Sequence, residues 1–191
     1  MLTYTIIEAS YTKALLVMDK NGSLYYASLG NDERELIFAL KSDFKKYNKK
    51  SKIANLQFRK TISDNIAMEE TINLYRNAIE NPEQIDINQF KIKLFNHTEF
   101  QEKIWNFLMY KTKPSKTTTY GEIAKSLGLT TYSSRAVGNS CGSNKIALVI
   151  PCHRVVGSTG ALTGYKWGVN IKQEILWREK LGNRTKVNNA E

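Results

Sequence analysis

Two residue pairs in this chain could do chemistry on a bound molecule. The first is Cys152 with its neighbour His153, within the run IPCHRVV at 150–156. A thiolate is the nucleophile, and a nearby imidazole or its proton relay favours it. Adjacency alone is weak evidence, because neighbouring side chains of a strand point to opposite faces, and a buried cysteine is most often structural. Chemistry becomes plausible because a loop with glycines at 157, 160, 164 and 168 follows and could fold over a ligand. The second pair involves Glu179. It shares a helical face with Ile171 and Ile175, and a carboxylate on an apolar stripe needs a partner. It either orients His153, giving a Cys–His–Glu relay, or is an end-of-face glutamate that reaches water or pairs with an arginine.

These residues must be positioned by the elements around them. The spacing predicts a helix with Phe100, Ile104, Phe107 and Leu108 on its apolar face and Trp105 beside it. Thr119 and Glu122 form a capping box that opens a short helix, closed by Gly128 in the left-handed conformation. Ser133 is expected to cap a second helix that runs to about Cys141. Two short helices joined by a tight turn fit a helix-turn-helix, or an ordinary packed pair. The second helix reads SRAVGNSCG, with Arg135 its one long charged side chain. A mid-helix glycine costs ~1 kcal/mol relative to alanine, so close approach to another surface is one reason for it. The apolar run 145–150 is expected to be a buried strand. A last helix is expected to start at Asn170 with Gln173 in a variant capping box and to end at Gly182.

The first half reads as a scaffold. Strands are expected over 3–7, 14–19 and 24–28, the last two joined by an Asn21-Gly22 turn. Helices are expected over 31–47 and 71–80. The organisation expected is a domain over 1–85, a linker over 86–97, a domain over 98–182 and a polar, mobile tail over 183–191.

Composition narrows the function classes. The 191 residues carry 28 Lys and Arg against 18 Asp and Glu, a formal net charge of +10, which favours polyanionic partners. With only two cysteines and two histidines, neither a disulfide framework nor a structural metal is expected. The N-terminal residues lack signal-peptide features, and no apolar run is long enough for a membrane span. The expectation is a reducing intracellular setting, cytoplasmic or, in a eukaryote, nuclear.

The IPCHRVV run resembles the active-site signature of the O6-alkylguanine-DNA alkyltransferases. Phe100-Gln with Ile104-Trp105, YGEIA at 120–124, RAVG at 135–138 and Asn144 stand in the same order, so the resemblance covers about residues 98–182. It implies an α/β (α+β) fold class: an N-terminal ribonuclease H-like domain, then a winged-helix domain that enters the minor groove of double-stranded DNA. It implies that Cys152 accepts the alkyl group, that His153 is the base acting through a water, and that Glu179 orients it. Tyr120 would press on the phosphate and help protonate the departing guanine. Asn144 would hold the hinge. Arg135 would replace the extruded nucleotide, with Ser134, Ala136 and Gly138 on the same DNA-facing helix. Tyr165 and Trp167 would belong to the pocket, and the Val155 carbonyl would read the base. The substrate implied is O6-alkylguanine, with O4-alkylthymine as a second candidate. No cofactor is implied, and a monomer is expected.

Three departures stand out. Lys145 follows Asn144 where the family usually has proline, the turn between Tyr120 and Arg135 is a residue longer than in some relatives, and Trp167 is bulky where some have glycine. The zinc that some members bind has too few ligands here. The rival readings are a cysteine hydrolase and a DNA-binding sensor without chemistry. Cys152 argues against the second.

Overall fold

The structure is a computed structural model that describes residues 2–48, 58–60 and 65–188. Its first half is built on a four-stranded sheet in the order β3-β2-β1-β4. Strands β1 (Leu2–Glu8), β2 (Lys13–Met18) and β3 (Leu24–Gly30) form an antiparallel meander, and β4 (Phe58–Lys60) runs parallel to β1. Strands β1 and β3 come out two residues longer than the sequence predicts, and β2 keeps its length one residue earlier.

The β2–β3 connection is wider than a two-residue hairpin. Met18 pairs with Leu24 across a register shift. The Gly22 amide donates to the Asp19 carbonyl, and the Asp19 carboxylate accepts from the amides of Asn21 and Ser23. Gly22 is required twice over. Its φ is +73°, and a Cβ there would stand 2.3 Å from the Ala67 carbonyl oxygen.

Strand β2 is apolar without alternation because both of its faces are covered. Leu15 and Val17 face helix α1 (Glu33–Asn48), packing with its Leu36, Leu40 and Phe44. Ala14, Leu16 and Met18 face helix α2 (Ile66–Glu80) and the second half. That second cluster is continuous: Leu16 and Met18 share it with Ile104, Val149, Ile150 and Ile175. The segment predicted as a linker contributes short 3-10 turns at Pro82–Gln84 and Ile87–Gln89, and Ile92 bridges to Leu24 of β3. Helix α2 starts earlier than the sequence suggests because Asn65 caps it, accepting from the Met68 amide.

In the second half, α3 (Glu99–Lys111) begins with a capping box from Thr98 and Gln101. It buries Ile104, Trp105, Leu108 and Met109, so the buried face is centred on Trp105. The Trp105 indole N–H donates to the Ser140 carbonyl and fixes α3 against α5 (Ser134–Gly142). The capping box of Thr119 and Glu122 opens α4 (Tyr120–Ser126), and Gly128 has a φ of +69°, both as expected. Ser133 does not cap α5. It lies in a 3-10 turn, Thr131–Ser133, has helical backbone angles and makes no side-chain cap bond, so the longer connection feeds the chain directly into the helix. A two-stranded parallel pair, β5 (Thr118–Thr119) with β6 (Val155–Val156), lies beside this helix pair.

Helix α6 (Val169–Asn188) differs from expectation at both ends. The Gly168 carbonyl, not a capping box, accepts from the Lys172 amide. Gly182 does not stop the helix; it lies within α6, beside the Glu83 side chain. Residues 183–188 continue the helix rather than beginning a tail, and 189–191 lie outside the described residues. No helix among the described residues is long and apolar enough to cross a membrane.

Candidate active site

The run 145–150 is not a strand. It bridges to β3 only between Ile146 and Ala27 and then coils, with Leu148 at φ +65°. A left-handed leucine costs ~1–2 kcal/mol, and the surroundings must hold it there. Several tertiary bonds do so. The Asn144 side-chain oxygen accepts from the Ile146 amide (2.8 Å), and the Tyr75 hydroxyl donates to the Ala147 carbonyl (2.8 Å). The coil delivers Cys152 on a 3-10 turn, Cys152–Arg154, rather than on a strand. On that turn Cys152 and His153 can serve one site without lying on opposite faces of a sheet.

Pairing of β5 with β6 brings Tyr120 to the cysteine. Tyr120 directly follows β5, and the cysteine turn directly precedes β6. Both residues line one cavity of about 150 Å³, together with Gly138, Cys141, Gly142, Gly164, Tyr165 and Lys166. A Cβ on Gly138 would make only ordinary contact with the Tyr120 ring (3.6 Å), and one on Gly142 would meet nothing. Packing within the protein therefore does not require these glycines. They keep the cavity and the outer face of α5 open, and Arg135 and Ala136 are exposed on that helix while Ser134 is half-buried.

Behind the cavity wall the buried polar groups are hydrogen-bonded in two sets. The Asn144 amide donates to Cys152 Sγ (3.1 Å) and to the Ile150 carbonyl (2.9 Å). His153 Nε2 lies 3.0 Å from Glu179 Oε1, which also accepts from Arg154 Nε (3.0 Å) and Nη2 (2.8 Å). The other Glu179 oxygen accepts from the Ser115 amide (2.9 Å). Of the possibilities left open for Glu179, a histidine partner and an arginine partner are thus both realised. His153, Arg154 and Glu179 are all nearly inaccessible. Burial would raise the Glu179 carboxyl, but its bond to His153 and the charge of Arg154 outweigh this and hold it at about 2.

For His153 burial wins over the carboxylate and keeps the imidazole below its ordinary 6.5. A neutral imidazole facing a carboxylate carries its proton on Nε2 and leaves Nδ1 as an acceptor. That atom is buried and has no partner among the described residues. Burial pushes the Cys152 thiol up to about 11, against partial relief from Asn144 and the charge of Lys172. The resting group is therefore a thiol, which would have to lose its proton to act as a nucleophile, and His153 Nδ1 is an unpaired acceptor next in the chain. Because burial depresses His153, the base stays neutral as pH falls through 6.5. The rate of reaction at Cys152 with a soluble alkyl donor should therefore hold constant from neutral pH to below 6.5. An acid limb centred above 6.5 in that profile would contradict this protonation state.

Two of the residues expected in the pocket are not among those that line this cavity. Trp167 does not line the cavity. Its indole is buried at a separate groove beside Ser28–Gly30 and Leu36, because the loop turns it toward the sheet. Val155 is fully buried, and its carbonyl accepts from Lys172 Nζ (2.6 Å). Lys172 and Arg154 escaped the sequence reading. Lys172 shares the buried face of α6 with Ile175 and Glu179, and its ammonium also donates to the Thr163 and Gly164 carbonyls (3.1 and 3.2 Å). Three protons meet three carbonyls, which pins the glycine-rich loop. The spacing 172, 175, 179 was the available signal. Cys141 lines the same cavity as Cys152, but burial pushes its thiol far up and no base adjoins it.

This geometry defines a protein whose buried cysteine lines a cavity beneath a pair of short helices, α4 and α5. Known proteins narrow the class. Residues 99–181 match the family described as 6-O-methylguanine DNA methyltransferase, DNA binding domain. A methylated-DNA–protein-cysteine methyltransferase of Debaryomyces hansenii is 42% identical over 182 residues, which cover 94% of this chain and 91% of that protein. The O6-methylguanine-DNA methyltransferase of Pyrococcus kodakaraensis shares the fold, with a TM-score of 0.72 at 22% identity over 94% of this chain and 99% of that one. Mycobacterium tuberculosis OGT, solved in complex with DNA, superposes with a TM-score of 0.68 at 27% identity over 94% of each chain. The chain belongs to the methylated-DNA–protein-cysteine methyltransferase family.

Proposed function

We infer that this protein repairs DNA by moving the alkyl group of O6-alkylguanine onto Cys152, once per molecule. The observation that carries this reading is the cavity beneath α5 that Cys152 lines, with the buried His153–Glu179 pair next to it in the chain. The family membership sets the substrate class. O6 is buried in a duplex, so the nucleotide must first leave the stack. Arg135 is the long exposed side chain of α5 and fills the space left behind. Minor-groove entry fits a helix face of small residues.

In the reaction the Cys152 proton passes through a water to His153 Nδ1, and Glu179 steadies the imidazolium. Sulfur forms a bond to the alkyl carbon while the carbon–O6 bond breaks. The Tyr120 hydroxyl supplies a proton to the departing guanine. The S-alkyl product is a thioether without a carbonyl for water to attack, so the thiol is not regenerated. This separates the protein from a cysteine hydrolase, whose thioester intermediate turns over.

Incubation with a duplex containing O6-methylguanine, followed by peptide mass measurement, should place the methyl on the Cys152 peptide. The Cys141→Ala variant should react like the parent, since Cys141 has no base beside it. A methyl found on Cys141 would refute the assignment.

A further inference from the structure

The polar cluster that the reaction leaves unused lies on the far side of Asn144. Asp43 is on α1, in the half of the chain read as scaffold. One carboxylate oxygen accepts from Lys145 Nζ (2.8 Å), and the other accepts from Lys166 Nζ (2.9 Å) and the Tyr26 hydroxyl (3.2 Å). Lys166 Nζ also donates to the Asn144 carbonyl (3.0 Å) and stands 5.6 Å from the centre of the Trp167 ring. These side chains are mostly shielded, with 14% of Asp43, 15% of Lys145 and 22% of Lys166 exposed, so solvent screens the pairs less than on an open surface.

The connectivity gives the cluster a direction. Lys145 directly follows Asn144, whose amide holds the reactive sulfur. Lys166 lies on the glycine-rich loop and lines the cysteine cavity. One carboxylate from the first half therefore ties both the hinge and the loop to the same point. Removing its charge would leave two ammonium groups facing each other.

We propose that Asp43 is a positioning residue for the reaction at Cys152, acting through Lys145 and Lys166 to fix the Asn144 amide on the sulfur and the loop over the cavity. The proposal rests on the alkyl-transfer reading for its substrate, but not for its effect on the thiol. Around Cys152 the groups involved are Asn144, Lys172, Lys166, Cys141, Tyr75, Tyr120 and Tyr165. Asn144, Lys166 and Lys172 favour the thiolate, and Asp43 governs the first two.

The test uses the full chain with Asp43→Asn, Asp43→Glu, Lys166→Met and the double variant Asp43→Asn/Lys166→Met. Transfer from free O6-benzylguanine is timed, and alkylation of the Cys152 peptide by iodoacetamide is followed against pH. Asp43→Asn should slow transfer ~10-fold and move the iodoacetamide midpoint to higher pH. Asp43→Glu should recover most of both. The double variant should be no slower than Lys166→Met alone, because residues acting through one another are not additive. A midpoint that does not move, whether the rate is unchanged or falls only with melting temperature, would overturn the proposal. Failure of the unmodified protein to accept the benzyl group would instead strike the alkyl-transfer reading, while the iodoacetamide midpoints would still decide the role of Asp43.

Discussion

Replacing Glu179 by alanine should cost ~3–5 kcal/mol of stability, because it strands the Arg154 guanidinium in the interior. Arg154 gives two of its nitrogens to Glu179, and its remaining contacts, to the Thr112 carbonyl and hydroxyl, are long at 3.4 and 3.3 Å. The variant should melt roughly 10 °C lower in calorimetry. Transfer should also fall ~10²–10⁴-fold, the usual worth of a positioned base, since nothing would hold the His153 proton on Nε2. The double variant Glu179→Ala/Arg154→Met separates the two roles. Removing both charges should return most of the stability, as replacement of buried ion pairs by apolar groups often does, while transfer stays slow. Parent-like transfer by the double variant would show that the carboxylate does not orient the histidine. Acid should have a related effect. The folded carboxyl titrates near 2 against an ordinary 4.5, so its stabilisation is complete above 4.5 and is lost as pH falls toward 2.

Arg135→Ala should separate substrates rather than lower all rates. Side-chain stacking on bases is worth ~1–3 kcal/mol, so repair of O6-methylguanine in a duplex should slow ~10–100-fold when the space left by the flipped nucleotide goes unfilled. Reaction with free O6-benzylguanine needs no flipping and should change by less than about twofold. Arg135 is exposed on α5, and melting should be unaffected. Equal losses with both substrates would count against this role.

The sequence made some of this site legible and hid the rest for physical reasons. The cap of α4 and the glycine after it were readable because capping chemistry is local. The Cys152–His153 pair and the face carrying Glu179 were readable from adjacency and helical spacing. Arg154 was not, because a buried arginine and a surface arginine look alike until the carboxylate that meets one of them is placed. The coil at 145–150 was mistaken for a strand because short apolar runs have no period to read, and its hydrogen bonds come from Asn144 and the distant Tyr75. The place of Trp167 beside the sheet was not readable, because the resemblance pointed it to the pocket and nothing local shows which way a loop side chain turns. The unusual Lys145 became interpretable only when Asp43, 102 residues away, was found holding it.

Alkylation of Cys152 should be irreversible, so that each molecule reacts once. The measurement is a titration of a fixed amount of protein with increasing duplex containing O6-methylguanine, counting both repaired guanine and S-methylated Cys152 peptide. Repaired guanine should plateau at one equivalent per active molecule and match the methylated peptide throughout, and Cys152→Ala should repair nothing while still binding DNA. Repair that continues past one equivalent, with unmodified Cys152 recovered, would contradict the account and restore the hydrolase reading.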